Sequence, residues 1–298
     1  MKQVYSLKIE TPFSAVDAVF DVLPEDTLGQ SGFKKNADDR SENPLWVVEG
    51  IYAVPPDETA ISVRLEIIAR AQSHAPYRFS VESLPTQGWL ARNEESYAPI
   101  RIGKIIIHGP RQNISSRYAI ALPIGAAFGT GEHPTTHGCL MALQQAGMLK
   151  RGARVLDVGT GSGILALAAA KLAHAKVVAG EIEAESVAIA RENVHRNGAR
   201  NLVRVEKAEG CRHRVIARGK PYDVIVSNIF AKPLAKLAPA MRKHLKPGGR
   251  VVLAGFLHRD SNLVRSAYAA QRIYVERQKS YGAWRILILR RPVKATKV

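Results

Sequence analysis

The chain has 298 residues, is 46% apolar and 23% charged, and carries a formal net charge of +17. That length holds two domains with their own cores or one large α/β domain. The two cysteines, Cys139 and Cys211, lie far apart and form no Cys-x-x-Cys pair; neither a disulfide framework nor a cysteine zinc site is supported, and a reducing cytoplasm is expected. The opening residues, MKQVYSLKIETPF, lack the apolar core of a signal peptide. The longest apolar run, Ile164 to Ala173, contains Lys171 and is too short to span a membrane. Charge is divided unevenly. Residues 1–88 hold 8 Lys and Arg against 13 Asp and Glu; residues 89–298 hold 35 against 13. An acidic lobe suits a basic partner and a basic lobe suits nucleic acid, although either charge also simply solvates a surface.

In chain order, VYSLKIE (4–10) alternates like a half-buried strand. Residues 12–23 space their apolar side chains for a helix, with Thr11-Pro12 as cap and first turn. Leu45 to Val54 reads as a strand stopped by Pro55-Pro56, Asp57 to Ala71 as a helix, and Tyr77 to Leu84 as a strand. Residues 1–88 are therefore expected to form a small ferredoxin-like α+β domain. The polar Pro- and Gly-containing stretch 89–104 reads as a linker. Residues 105–298 follow as the second domain, opening with strand-like 105–109 and 117–123. From residue 150 strands alternate with helices: VLDV (155–158), a helix from Ile164 to Ala173, KVVAGEI (176–182), a helix from Ala184 to Asn197 closed by Gly198, LVRVEKA (202–208), YDVIVSNIF (222–230), a helix from Pro233 to Leu245, and RVVLAGFL (250–257). The tail reads as two strands joined at Gly282. Such a rhythm implies a Rossmann-like, mostly parallel sheet with an antiparallel last strand and its ligand at the carboxyl ends of the strands.

VLDVGTGSG (155–163) runs a buried strand into Gly159, Gly161 and Gly163 and then a helix. Glycines allow a tight turn and close ligand approach, and a helix start offers free N–H groups. Dinucleotide enzymes prefer G-x-G-x-x-G; here the third glycine comes one residue early, which favours S-adenosylmethionine over another nucleotide cofactor or a plain turn. Glu181 stands where a carboxylate accepts from both ribose hydroxyls, with Glu183 two residues on as a helix-start acid. Glu209 is either an adenine contact or a surface acid. Asn228 ends the fourth strand, where a side-chain amide can orient an attacking amine; a turn asparagine is the alternative. Phe230 is expected to wall the acceptor pocket. His133 and His137 have a metal-capable spacing but no evident third ligand, so no metal is expected and the substrate entrance is the better reading.

AAFGTGEHPTTHGCL, VLDVGTGSGILALAAAKL, ENVHRNG and SNIFAKPL together resemble the ribosomal protein methyltransferase family, PrmA type. The resemblance is strong over roughly residues 95–257 and covers the first domain only in layout. It implies a class I S-adenosylmethionine methyltransferase domain, preceded by a small domain that grips the substrate, the eleventh large-subunit ribosomal protein, and by a mobile linker. It implies cofactor contacts at Thr136, Gly159, Glu181 and Asn228, and it places Phe128, Gly129 and Thr130 of the FGTG turn, with Gly161 and Gly163, in the same pocket. Asn228 would be the catalytic residue. Two departures stand out: the ribose acid is usually Asp, not Glu181, and +17 is high for the family, which raises contact with ribosomal RNA.

Three rivals remain. A lysine methyltransferase of an electron-transfer flavoprotein subunit often lacks a separate first domain. An RNA methyltransferase fits the basic lobe but lacks the Asn-Pro-Pro-Tyr type of motif at Asn228. A non-catalytic RNA-binding module has no use for the cofactor loop.

Overall fold

Along each central strand, side chains alternate between two apolar layers, and that alternation dictates the architecture. The computed structural model describes residues 3–24, 26–27, 29–36, 41, 43–85, 99–123 and 133–293. The chain divides into two compact units, residues 1–96 and 97–298. Phe128, Gly129, Thr130 and most of the stretch read as a linker lie outside the described residues.

The first unit runs β1 (Gln3–Pro12), α1 (Val16–Asp21), β2 (Gly29–Lys34), β3 (Leu45–Tyr52), α2 (Glu58–Ala71) and β4 (Arg78–Pro85). Its antiparallel sheet has the order β2-β3-β1-β4, the ferredoxin-like arrangement. Leu7 and Ile9 of β1 and Val48 of β3 bury against Ile61 and Leu65 of α2. Asp57 caps α2 by accepting from the N–H groups of Thr59 and Ala60 at 2.9 and 3.1 Å. Two details differ from the sequence reading. The expected first helix opens as a 3-10 turn, Phe13–Ala15, before α1. β2 (GQSGFK) lacks an alternating apolar pattern because it is an edge strand, and Gly32 lies against the ring of Phe20.

The second unit begins with a three-stranded sheet, β5 (Ile100–Ile102), β6 (Ile105–His108) and β7 (Ala119–Ala121). β5 falls inside the stretch read as linker; three residues between Pro99 and Gly103 give too short a pattern to recognise. After α3 (Pro134–Leu143), the alternating units follow: β8 (Arg154–Val158), α4 (Ile164–Ala173), β9 (Lys176–Glu181), α5 (Ala184–Arg196), β10 (Val203–Lys207), α6 (Arg214–Gly219), β11 (Tyr222–Asn228), α7 (Ala231–His244), β12 (Leu245–Leu257), α8 (Ser261–Ala270), β13 (Tyr274–Tyr281) and β14 (Trp284–Arg290). The sheet order is β10-β9-β8-β11-β12-β14-β13, parallel except for the closing hairpin. The expected Rossmann-like sheet with an antiparallel last strand is present. Val155, Val177, Val224 and Val252 bury against α3, α4 and α5. Leu156, Ile225, Val251 and Leu253 bury against α6, α7 and α8. The Lys246-Pro247-Gly248-Gly249 stretch, past the expected helix from Pro233 to Leu245, joins β12 through a register shift.

Asn197, just past α5, fixes β7 to this layer. Its Oδ1 accepts from the Ala121 N–H at 2.9 Å and its Nδ2 donates to the Ala121 carbonyl at 2.8 Å. β7 leads directly toward α3. Asn197→Ala leaves both Ala121 groups unpaired and should destabilise the second unit by about 2 kcal/mol, read as a lower urea midpoint for that unit's transition, with Ala121 amide exchange accelerated.

Candidate active site

Three strand exits and one helix start build the site. At the end of β8 the chain turns through Gly159, Gly161 and Gly163, with φ of 73°, 52° and 85°. The N–H groups of Gly159 and Thr160 donate to the Gly180 carbonyl at 2.9 and 3.1 Å. A Cβ on Gly159 would sit 2.5 Å from Ile229 Cγ2, so this loop packs tightly against the exit of β11 as well. From α5, buried Asn193 donates through Nδ2 to the Ser162 carbonyl at 2.9 Å. The two asparagines of ENVHRNG thus hold the glycine loop and β7 respectively.

Glu181, at the end of β9, is nearly buried. Its Oε2 accepts from the Gly161 N–H at 3.0 Å; its Oε1 accepts from Ile182 and Glu183 N–H at 2.7 and 3.2 Å. An ionised carboxylate offers about four lone-pair sites, so the oxygen facing Gly161 keeps capacity for a further hydroxyl. Glu181 is therefore a clamp on the loop before it is a ribose acceptor. Glu183 occupies the N-cap position of α5 without a side-chain capping bond. Glu209 is exposed and pairs with Arg212 at 3.7 Å, which favours the surface reading. Ile182 and Phe230, just past β9 and β11, are 54% and 66% exposed. Large apolar side chains left in solvent at strand exits provide surface for a ring or an alkyl chain.

Asp157 is fully buried within β8. Its Oδ2 accepts from Thr160 Oγ1 at 2.7 Å, while its Oδ1 has no hydrogen-bond partner among the described residues. Burial, with the charge of Glu181 adding to it, pushes its carboxyl up to about 7. Ser162 Oγ, in the glycine loop, is also buried without a partner. Unpaired buried polar atoms beside a turn of left-handed glycines and a carboxylate with spare capacity fit a polar nucleoside such as that of S-adenosylmethionine.

Thr136 and Asn228, 92 residues apart, meet. Asn228 Nδ2 donates to Thr136 Oγ1 at 3.3 Å. Thr136 is buried in the first turn of α3. His133 is the N-cap of that helix: its Nδ1 lies 3.3 Å from the Thr135 N–H and 2.7 Å from Thr135 Oγ1, and its ring packs edge-on to Trp284 at 4.7 Å. Burial pulls its pKa down to about 4. His137 tilts against Tyr281 at 5.3 Å, and burial with the nearby Lys279 lowers its pKa. Each histidine thus serves a separate aromatic contact.

Two contributors escaped the sequence reading. Buried Ser227 donates to the Val158 carbonyl at 2.7 Å, joining the exits of β8 and β11. Gly255 has φ 91°, and a Cβ there would lie 2.6 to 2.8 Å from the Ile229 backbone. Its signal was available: a lone glycine inside an apolar strand marks a bulge or a close backbone approach.

The family described as "Ribosomal protein L11 methyltransferase (PrmA)" matches residues 7–292. The chain belongs to this family. PrmA relatives include one from Mesorhizobium japonicum, 42% identical over 64% of this chain and 67% of its own length. Another, from Rhizobium rhizogenes, is 36% identical over 86% of this chain and 87% of its own; a third, from Rhizobium etli, is 31% identical over 96% and 98%. All three are named ribosomal protein L11 methyltransferase. The crystal structure of a ribosomal protein L11 methylase from Lactobacillus delbrueckii subsp. bulgaricus aligns with a TM-score of 0.58 at 30% identity, covering 66% of this chain and 100% of that one. Motif positions in this PrmA chain therefore sit on the fold that the sequence resemblance implied.

Two outcomes follow from this geometry. Gly255→Ala must strain a left-handed backbone and push Ile229 away; it should lower the thermal midpoint of the second unit by several degrees and weaken cofactor binding. Asp157 has a folded pKa raised above its unfolded value of 3.8, so its contribution to stability is present at low pH and is lost as pH rises from about 4 to 7. His133 has the opposite sign: its neutral burial stabilises above about 6.5 and is lost as pH falls toward 4. The two partly cancel in the parent chain. Asp157→Asn should therefore gain stability relative to the parent as pH rises from 4 to 7 in ligand-free denaturation, whereas a constant difference across that range would contradict the burial of a titrating Asp157.

Proposed function

We propose that the chain methylates amino groups, of lysine and of the N-terminus, on the eleventh large-subunit ribosomal protein. It is a methyltransferase of the PrmA family, and S-adenosylmethionine is its cofactor. The observation that carries the reading is the meeting of Thr136 and Asn228 at the open end of β11, beside the glycine loop. When bound, S-adenosylmethionine supplies an electrophilic methyl on a sulfonium centre. Gly159 to Gly163, the spare oxygen capacity of Glu181 and the unpaired Asp157 and Ser162 atoms would hold its nucleoside part. Thr136 fixes the Asn228 amide through Nδ2, which turns Oδ1 toward an incoming amine. A hydrogen bond from the amine N–H to that oxygen directs the nitrogen lone pair, and the departing proton goes to water. The contribution is positioning rather than covalent catalysis.

The acidic residues 1–96 are the part we assign to gripping the basic substrate protein, acting in the cytoplasm. The described residues contain no helix long and apolar enough to cross a membrane. We extend the reading to a contact between the basic second unit and ribosomal RNA. Binding to intact large subunits should then weaken more steeply with salt than binding to the free protein.

Tritiated S-adenosylmethionine offered with the ribosomal protein, an electron-transfer flavoprotein and RNA in parallel should label the ribosomal protein. Label in RNA alone would overturn the assignment. Asn228→Ala should reduce turnover on the order of 10²-fold or more while cofactor affinity falls far less; equal losses in both would assign Asn228 to binding only.

A further inference from the structure

The two helical layers of the second unit differ in charge balance. The helices α6, α7 and α8, which cover one face of the seven-stranded sheet, contain seven Lys and Arg and no Asp or Glu. The helices α3, α4 and α5 on the opposite face contain three and two. The first layer sorts its side chains cleanly. Leu234, Ala238 and Met241 of α7, with Val264 and Tyr268 of α8, turn inward. Arg214 and Arg218 of α6, Lys232, Lys236 and Lys243 of α7, and Arg265 of α8 are exposed and make no ion pair among the described residues. Arg242 is different: its Nε donates to the Gln271 carbonyl at 3.0 Å and serves packing.

Folding alone does not ask for this pattern. Lys232 and Lys236 stand one turn apart, the spacing at which like charges repel and an opposite charge would stabilise. Acids beside the layer are few: Asp223 pairs with Lys246 at 2.5 Å, Glu209 pairs with Arg212, and Asp260 stands at the N-cap of α8. The layer also begins just past the end of β11, with the exposed Lys232 on the first turn of α7. Helix α7, with 14 residues, is about 21 Å long, and its cations recur along that length.

Regularly spaced single cations on rigid rods match a phosphate backbone. Exposed apolar side chains that could enter a lipid surface are sparse on the three helices, with Leu263 the large one. We propose that the α6–α7–α8 layer is an RNA-binding surface that reads backbone phosphates without regard to sequence. It rests on the RNA contact suggested above and gives that contact a location. Its service to the enzyme is to hold the reaction centre near RNA-associated protein.

The test uses the full chain and a 20-base-pair RNA duplex of arbitrary sequence, with fluorescence anisotropy over a salt series. The variant K232Q/K236Q/K243Q/R265Q removes four charges from the layer, and glutamine preserves helix propensity. The control K150Q/R151Q/K176Q/R200Q removes four exposed charges elsewhere on the same unit. The layer variant should weaken RNA binding at least 30-fold more than the control and reduce the slope of log affinity against log salt by about 3. Both variants should methylate free ribosomal protein with unchanged KM and kcat. Equal loss of RNA affinity in the two variants would place the contact elsewhere and overturn the proposal while leaving an RNA contact standing. Absence of wild-type RNA binding, or tighter binding to phosphatidylserine vesicles than to RNA, overturns both. Loss of transfer to the ribosomal protein by the wild-type chain tells instead against the catalytic reading.

Discussion

One carboxylate organises the site. Glu181 receives N–H groups from Gly161, Ile182 and Glu183, and so joins the turn after β8 to the exit of β9. Adjacent strands of a parallel sheet twist apart, and loops leaving their carboxyl ends diverge unless something ties them. Charge-assisted bonds to backbone N–H groups are strong and directional, which suits that task. They also satisfy the Gly161 N–H, which the left-handed turn would otherwise leave bare. The side chain is one methylene longer than the aspartate usual in the family, and here that length spans from β9 back to Gly161. Loop order therefore depends on Glu181 whatever else its carboxylate binds.

Amide side chains extend this scaffold outward. Asn193 holds the Ser162 carbonyl, Asn197 holds both polar groups of Ala121, and Asn228 is itself held by Thr136. An amide both donates and accepts, so it can pair with backbone without adding charge to a buried region. The helix α5 thereby connects the glycine loop to the short sheet that leads into α3. The start of α3 in turn presents Thr136 to β11, with His133 as its cap. Segments distant in sequence converge at the strand exits because amide side chains anchor them, Asn193 and Asn197 to backbone and Asn228 to the Thr136 hydroxyl.

What the sequence disclosed follows from the same physics. The parallel strands were legible because both faces of the sheet are covered, which makes runs such as VLDV continuously apolar. Glycines 159, 161 and 163 and the acid at 181 were legible because the turn and the carboxylate have few substitutes. α6 was not, since six residues hold barely more than one turn of periodicity. β2 and β5 were not, because a short edge strand has no two-sided pattern. The roles of Asn193 and Ser227 depend on partners 31 and 69 residues away, and no local pattern encodes such pairs. The bonds from Glu181 to the Gly161, Ile182 and Glu183 N–H groups were likewise not legible, because they depend on the folded loop.

Charge shows a division that composition conceals. Residues 97–298 contain 11 Asp and Glu. Asp157 and Glu181 are turned inward at the site, where a buried carboxylate has little outward field. Asp223, Glu192, Glu206, Glu209 and Glu276 each pair with a nearby Lys or Arg. Most of the negative charge is therefore spent locally, within a distance shorter than the roughly 8 Å over which physiological salt screens. The cations that remain unpaired set the potential seen from outside, and on α6, α7 and α8 no acid within the helices offsets them. A unit most of whose acids are paired or buried presents the helices α6, α7 and α8 as a positive face, and the packing of those helices keeps that face in fixed register with the strand exit that bears Asn228.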